Sequence, residues 1–409
     1  MKADFPYSAV GIGDGRGESL PADRSRTGGH SRPMRILIAT DAWEPQVNGV
    51  VRTLTRTVAE MRAMGHAVEV ISPDQFPTLP MPTYPEIKLA LGAYEPMQER
   101  FRSFEPEAIH IATEGPVGLA ARRLCLEWKL PFTTSYHTRF PEYISARFPV
   151  PTAAGYAYMR WFHKPSGRIM VATPTMRDEL ARHGFQHLSP WSRGVDTDLF
   201  QMRPGESDAP GWPEPPELKG LKRPIYLNVG RVAVEKNIES FVKLDLPGSK
   251  VVVGDGPSRE ELAVQYPEVV FTGARFGEAL AAYFAWSDVF VFPSLTDTFG
   301  LVILEAMSTG APVAAYPAPG PIDLIPGSGA GFCNDDLRQA CLDCLKLDRQ
   351  AVRKYAEGFS WRAAAEQFVA NLEPYPEPQK TKFWKRLRRL ARLRRARLQQ
   401  PPGGVHLGL

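Results

Sequence analysis

Cysteine is scarce in this chain of 409 residues: Cys125, Cys333, Cys341 and Cys344 are too few and too scattered for a disulfide framework. That scarcity sets a reducing compartment as the expectation. Cys341 and Cys344 form a CxxC, but no second such pair or histidine pair lies near it, and the Leu- and Ala-containing surroundings favour packing over zinc. No run of 18 apolar residues occurs, which excludes a helix that spans a bilayer. Residues 1–33 lack an apolar segment and read as a disordered leader rather than a secretory signal. Within them Gly11–Gly15 imitates a phosphate loop, with neither a strand before it nor a helix after it; Met34, just ahead of the first strand, is a second candidate start. Acid is missing from 380–398, which hold ten Lys and Arg; the net charge is +4, so the other 390 residues carry −6. The basic character belongs to the tail, and nucleic acid is not expected as a partner of the acidic body.

What is present is alternation. Apolar runs at Arg35–Thr40, Ala67–Ser72, Ala108–Ile111, Phe132–Tyr136 and Arg168–Thr173 read as strands, with amphipathic helices such as Val51–Met64 and Val117–Trp128 between them. A second series follows at Ile225–Val229, Lys250–Val253, Val269–Thr272, Val289–Phe292 and Val313–Ala315. Alternation of this kind predicts an α/β protein with two doubly wound parallel sheets. The expected division is a leader at 1–33, a first domain at 34–200, a linker at 201–224, a second domain at 225–375 and a tail at 376–409. Residues 73–96, with six prolines, read as a long irregular insertion.

Open parallel sheets bind ligands at the carboxyl ends of their strands, and the chemistry-bearing residues cluster there. Gln46–Val51 follows the first strand, and Gly49 would let backbone approach an anion at a helix start. Ser135–Tyr143 holds His137, a candidate acid/base group, a sugar ligand, or a packed histidine. Val229–Asn237 sets Arg231 and Lys236 across a turn that includes Gly230, two cations suited to a diphosphate without metal. Gly254-Asp-Gly-Pro257 is a turn that could border a nucleotide base. The organising stretch is Pro293–Val313: Asp297 precedes a helix that begins near Gly300 and Leu301, Glu305 lies within it, and Gly310 with Pro312 stops it. Free amides beside two carboxylates suit a ligand with phosphates and hydroxyls, although an ordinary strand–helix turn has the same outline.

Together these stretches resemble the retaining, nucleotide-sugar-dependent glycosyltransferases of family four, over about Met34 to Leu372. Arg193-Gly-Val-Asp-Thr-Asp-Leu-Phe200 matches as well, and Ser360-Trp361 resembles the start of the family's crossover helix, expected near 360–372. The resemblance implies a GT-B fold with the site in the interdomain cleft. It implies that Glu305 holds the donor's ribose and Asp297 the sugar hydroxyls, that Arg231 and Lys236 neutralise the diphosphate, and that the amides of Gly300 and Leu301 assist. Gly49, Gly230 and Gly254 would line the donor, a UDP- or GDP-sugar, and His137 would touch the sugar near the transferred carbon; neither metal nor cofactor is implied. The family pattern has glutamate where this chain has Asp297. The Thr-Asp-Thr-Phe-Gly-Leu variant is similar to a branch with bacterial diacylglycerol glycosyltransferases and α-mannosyltransferases. The expected reaction is transfer of glucose, glucuronate or a similar sugar to a membrane lipid such as diacylglycerol; the alternative is a GDP-mannose-dependent α-mannosyltransferase.

The tail fits that expectation. As a helix, 380–398 would place Phe383, Trp384, Leu387, Leu390, Ala391 and Leu398 on one face and most of its cations elsewhere. Such a helix suits an anionic membrane surface, so a cytoplasmic enzyme resting on the inner face of the membrane is expected; a nucleic-acid tail and a solvated tail remain the other readings.

Overall fold

The computed structural model describes residues 32–46, 48–81, 84–145, 150–375 and 384. Its first sheet joins β1 (Arg35–Ala39), β2 (Ala67–Ile71), β5 (Ala108–Ile111), β6 (Thr133–Tyr136), β7 (Ile169–Val171) and β8 (Leu188–Pro190) in the order β2-β1-β5-β6-β7-β8. Its second joins β9 (Ile225–Val229), β10 (Ser249–Val253), β11 (Val270–Gly273), β12 (Val289–Phe292), β13 (Val313–Ala315) and β14 (Gly331–Cys333) in the order β11-β10-β9-β12-β13-β14. Every pairing within these two sheets is parallel. These are the two doubly wound domains expected, and the arrangement is a GT-B fold. Parallel strands are covered on both faces, which is why they read as continuous apolar runs: all four residues of β5 and of β12 are buried.

Residues 73–96 depart from expectation. They are not irregular throughout: β3 (Thr78–Met81) and β4 (Tyr84–Ala90) pair antiparallel, with a register shift at Pro80/Met81. A two-stranded ribbon has only edges, and prolines are tolerated there.

The order of the second sheet reverses between β9 and β12, and that of the first between β1 and β5. At such switch points the loops leave in opposite directions and open a crevice. In the first domain the crevice is braced by Asp41, which follows β1. It accepts from the amides of Val117 (2.8 Å) and Gly118 (3.2 Å) and from Thr113 Oγ1 (2.9 Å), capping the Pro116–Trp128 helix. Burial pushes this carboxyl up despite those bonds.

The chain passes between domains twice, side by side, since Val195 and Ser360 form a parallel bridge. Ser360 caps the Trp361–Asn371 helix through bonds from the amides of Arg362 and Ala363. This last helix lies on the first domain: Ala365, Phe368 and Val369 share a core with Ile36, Ile38, Leu54 and Val58. The 201–224 stretch is fastened to the second domain, where Trp286 donates to the Trp212 carbonyl and Arg203 pairs with Asp288 at 2.8 Å.

Of the tail helix expected at 380–398, only Trp384 lies among the described residues, and its place is a correction. It is 3 % exposed, in the first domain's core with Phe101 and Leu124, edge-on to Trp128 at 6.4 Å. It therefore cannot belong to a face turned toward a membrane. Trp384→Ala is expected to lower the stability of the protein by about 3 kcal/mol, as for other buried Trp truncations. Chemical denaturation measures this, and an unchanged midpoint would return Trp384 to an exposed face.

The CxxC is packing. Cys341 and Cys344 are fully buried in the Leu337–Cys344 helix, where burial pushes the Cys341 thiol up to about 12.

Candidate active site in the interdomain cleft

The second domain's switch point gathers its candidate residues. After β9, Arg231 is exposed, and one 3₁₀ turn, Val234–Lys236, lifts Lys236 over the sheet end. Asn237 then takes a left-handed conformation, φ 53°, and its side-chain amide donates to the Pro293 carbonyl at 3.1 Å, tying this loop to the one after β12. Lys236 Nζ thereby reaches Asp297 Oδ1 at 2.6 Å. The other oxygen, Oδ2, is buried without a hydrogen-bond partner among the described residues.

Gly300 starts the Leu301–Ser308 helix with φ 82°, and a Cβ there would stand 2.9 Å from Ile303 Cδ1. Glycine meets both demands. Glu305 lies within that helix, 4 % exposed, with Oε1 2.5 Å from Arg52 Nη1 of the first domain. Its Oε2 also lacks a partner among the described residues. Burial raises the Glu305 carboxyl above the usual range, and Arg52 and Arg56 partly offset that rise. Two carboxylates in one cleft thus each commit one oxygen to a cation and leave the other unsatisfied, an arrangement suited to accepting hydroxyl hydrogens.

Gly49 opens the Gly49–Ala63 helix of the first domain, and Asn48 Oδ1 caps it by accepting from the amides of Val50 and Val51, each at 3.0 Å. A Cβ on Gly49 would meet only Leu301 Cδ1, at 3.9 Å. The first turns of the two helices therefore face each other across the cleft, and both dipoles favour an anion between them.

His137 is placed at the cleft, but its ring is already engaged. Nε2 bonds Ser135 Oγ at 2.8 Å, and Nδ1 lies 3.5 Å from Nη2 of Arg193. Arginine only donates, so Nδ1 is the acceptor and Nε2 carries the proton. Burial first, and then the Arg193 charge, hold His137 well below the usual imidazole range, so the ring is neutral. Its main-chain carbonyl accepts from Thr298 Oγ1 of the second domain at 2.7 Å. Sequence reasoning gave His137 a role but gave none to Arg193, which it noted only as the start of a matching stretch, and did not mark His110. Arg193 is 4 % exposed and stacks 4.2 Å from the Trp191 ring. His110, bonded to Thr133 and Ser135, is pushed down to about 3 by burial.

Gly230 stands in open space, where a Cβ would meet nothing within 4 Å, whereas Gly254 is closely packed. Both turns are extended past their strands, and a Cβ on Gly254 would lie 1.8 Å from the Gly230 carbonyl oxygen. The structure thus brings Lys236, Asp297, Gly300, Leu301, Glu305, Gly49 and the His137 carbonyl around one cleft. Arg52 and Thr298 join them, unmarked in the sequence because their partners lie in the other domain. Among the described residues, no three His, Cys, Asp or Glu side chains converge to hold a metal ion, and no helix is long and apolar enough to cross a membrane.

Comparison with known proteins agrees with this geometry. Residues 47–199 match Glycosyltransferase Family 4, and residues 223–346 match Glycosyl transferases group 1. A GDP-mannose-dependent alpha-mannosyltransferase of Mycobacterium tuberculosis is 31 % identical over 370 residues, covering 83 % of this chain and 96 % of that protein. An alpha-monoglucosyldiacylglycerol synthase of Streptococcus pneumoniae is 25 % identical over 349 residues, 76 % of this chain and 78 % of that protein. The solved sucrose-phosphate synthase of Thermosynechococcus elongatus superposes with a TM-score of 0.64 at 19 % identity, covering 82 % of this chain and 97 % of that one. With a cleft of this build between two parallel sheets, the chain belongs to the family-four glycosyltransferases of GT-B fold, which use nucleotide sugars as donors.

Proposed function

We propose that the protein transfers mannose from GDP-mannose, with retention, to a lipid-linked acceptor at a membrane surface. The similarity to the mycobacterial mannosyltransferase over nearly the whole of that protein carries the choice of donor. Transfer of glucose or a related sugar to diacylglycerol is the second reading, favoured by the weaker similarity to the streptococcal synthase and by Asp297 in place of glutamate.

In this mechanism Glu305 accepts from the ribose and Asp297 from the sugar hydroxyls, each through its unsatisfied oxygen. Arg231, Lys236 and the amides of Gly300 and Leu301 take up charge as the bond between the anomeric carbon and the phosphate oxygen breaks. Donors fixed beforehand stabilise that charge without reorganising. The acceptor oxygen attacks the same face of the anomeric carbon, and its proton passes to the leaving phosphate. This requires neither metal nor side-chain nucleophile. His137, held neutral by burial and by the Arg193 charge, shapes the sugar pocket, and Gly49 leaves room for the phosphates between the facing helices. The ten Lys and Arg of 380–398, all outside the described residues, draw the enzyme to anionic lipid on the cytoplasmic side.

The decisive experiment offers the purified protein GDP-mannose, UDP-glucose or UDP-glucuronate, with diacylglycerol or glycosylated lipids as acceptors. Lipid mass spectrometry identifies the product and NMR its anomeric configuration. A mannosyl lipid from GDP-mannose is expected; a product from UDP-glucose alone would establish the second reading instead.

A further inference from the structure

We propose that Arg52 is a donor-site residue supplied by the first domain: it holds one oxygen of Glu305, presents the other to the nucleoside, and so makes nucleotide binding depend on contact between the domains. This rests on the reading of Glu305 as the partner of the donor's ribose.

Three observations carry it. The Arg52–Glu305 pair spans the cleft at 2.5 Å, from a side chain 41 % exposed to one 6 % exposed. The carboxylate is the buried member, so its charge is the one that needs a partner. Second, Glu305 Oε2 is buried with no hydrogen-bond partner among the described residues, while Oε1 is committed to the arginine. The carboxylate therefore has one oxygen committed to the arginine and one buried acceptor that no described residue satisfies.

Third, the arginine's own position is fixed. Arg52 stands one turn inside the Gly49–Ala63 helix, whose start is capped by Asn48. Arg56, one turn further on, pairs with Asp196 at 2.7 Å in the segment that passes between the domains. Two arginines on one face thus pin the same helix to the second domain and to the hinge, which limits how far Arg52 can swing.

Among the described residues, no other cation is paired with Glu305. Within the second domain, the elements most closely packed against its helix are the Gly277–Trp286 and Arg349–Ala356 helices, β12 and β13. Lys354 and Glu278 on these helices are exposed, and the other charged groups are engaged elsewhere. Arg349 binds the Ser287, Ala285 and Thr309 carbonyls and Glu206; Arg353 binds the Phe200 and Ser308 carbonyls and Glu357. Asp288, ahead of β12, pairs with Arg203 and Arg223, and Tyr283 interacts with Glu217 and Arg275. Only Arg52, and at longer range Arg56, lower the Glu305 carboxyl against the rise caused by burial. A ribose hydroxyl donates best to a charged acceptor, so loss of Arg52 should be felt most where Glu305 begins to protonate.

The test is calorimetric binding of GDP and UDP to the wild type, R52Q, R52K and E305Q between pH 5.5 and 8, following whichever nucleotide the wild type binds more tightly. Arg52→Gln is expected to weaken binding at least tenfold and to move the acid limb of the affinity profile to higher pH. Arg52→Lys should keep the wild-type limb and most of the affinity. A loss in R52Q of equal size at every pH would reduce Arg52 to a structural contact and overturn the proposal, as would unchanged or tighter binding in R52Q alongside weakened binding in E305Q. Wild-type affinity in E305Q would instead remove the ribose role of Glu305, and the proposal with it. Arg52 is two-fifths exposed, so R52Q is expected to fold; its melting temperature checks that directly.

Discussion

Lys236→Ala is expected to lower kcat/KM by about a hundredfold, the order seen when a preorganised donor to a developing anion is removed. The residue stands at the switch point of the second sheet, where β9 and β12 diverge. It is held there by the 3₁₀ turn Val234–Lys236 and the Asn237 bond to Pro293. Its partner Asp297 leaves one oxygen unsatisfied, so the pair is not a closed structural ion pair. The lysine is a quarter exposed, and a partly exposed pair contributes little to folding. The melting temperature should therefore change by only a degree or two while turnover collapses. Initial rates over a range of donor concentrations, beside a melting curve, separate the two effects. Near-normal turnover by the folded variant would remove Lys236 from the reaction.

Gly254→Ala should act in the opposite way, through the fold. A methyl group at this position would lie 1.8 Å from the Gly230 carbonyl oxygen, well inside van der Waals contact, at φ 154°. Neither chain can yield easily. Gly230 N donates to the Val253 carbonyl and Gly254 N to that of Gly273, each at 3.0 Å, so the ends of β9, β10 and β11 are laced together. Relief requires breaking one of these bonds or parting two central strands. A cost of about 3 kcal/mol or more follows, at the upper end of overpacking effects. For a domain of this size that corresponds to a fall of roughly 6–12 °C in melting temperature. Calorimetry measures it, and a fall of under 2 °C would show that the turns are looser than the geometry indicates.

The sequence made the sheets legible because buried parallel strands are written as apolar runs, as at β5, β9 and β12. It hid β8 and β14, three-residue strands too short for periodicity and punctuated by proline or glycine. It hid the β3–β4 ribbon as well, since prolines that break a central strand are harmless on an edge. At the site, local rules located Lys236, Asp297, Gly300 and Glu305 at strand ends and a helix start. They could not say that Lys236 meets Asp297, 61 positions later, or that Arg52 meets Glu305, because those distances come from packing. His137 was legible as a residue of interest, but the engagement of its ring by Ser135 and Arg193 was not. Trp384 shows the same limit from the other side: a helical wheel assigns it a face, and only the packed structure shows Trp128 waiting for it.

The return of the Trp361–Asn371 helix to the first domain has a consequence for biogenesis. Topologically the second domain is an insertion between the first domain's body and its closing helix. As the chain leaves the ribosome, β1 and the Gly49–Ala63 helix lack the cover of Ala365, Phe368 and Val369 until nearly all of the described chain is made. The second domain, though encoded later, has its whole sheet by Cys333. The half that begins first is thus finished last, and a fragment ending after residue 200 would emerge with an apolar strip of its core open to water.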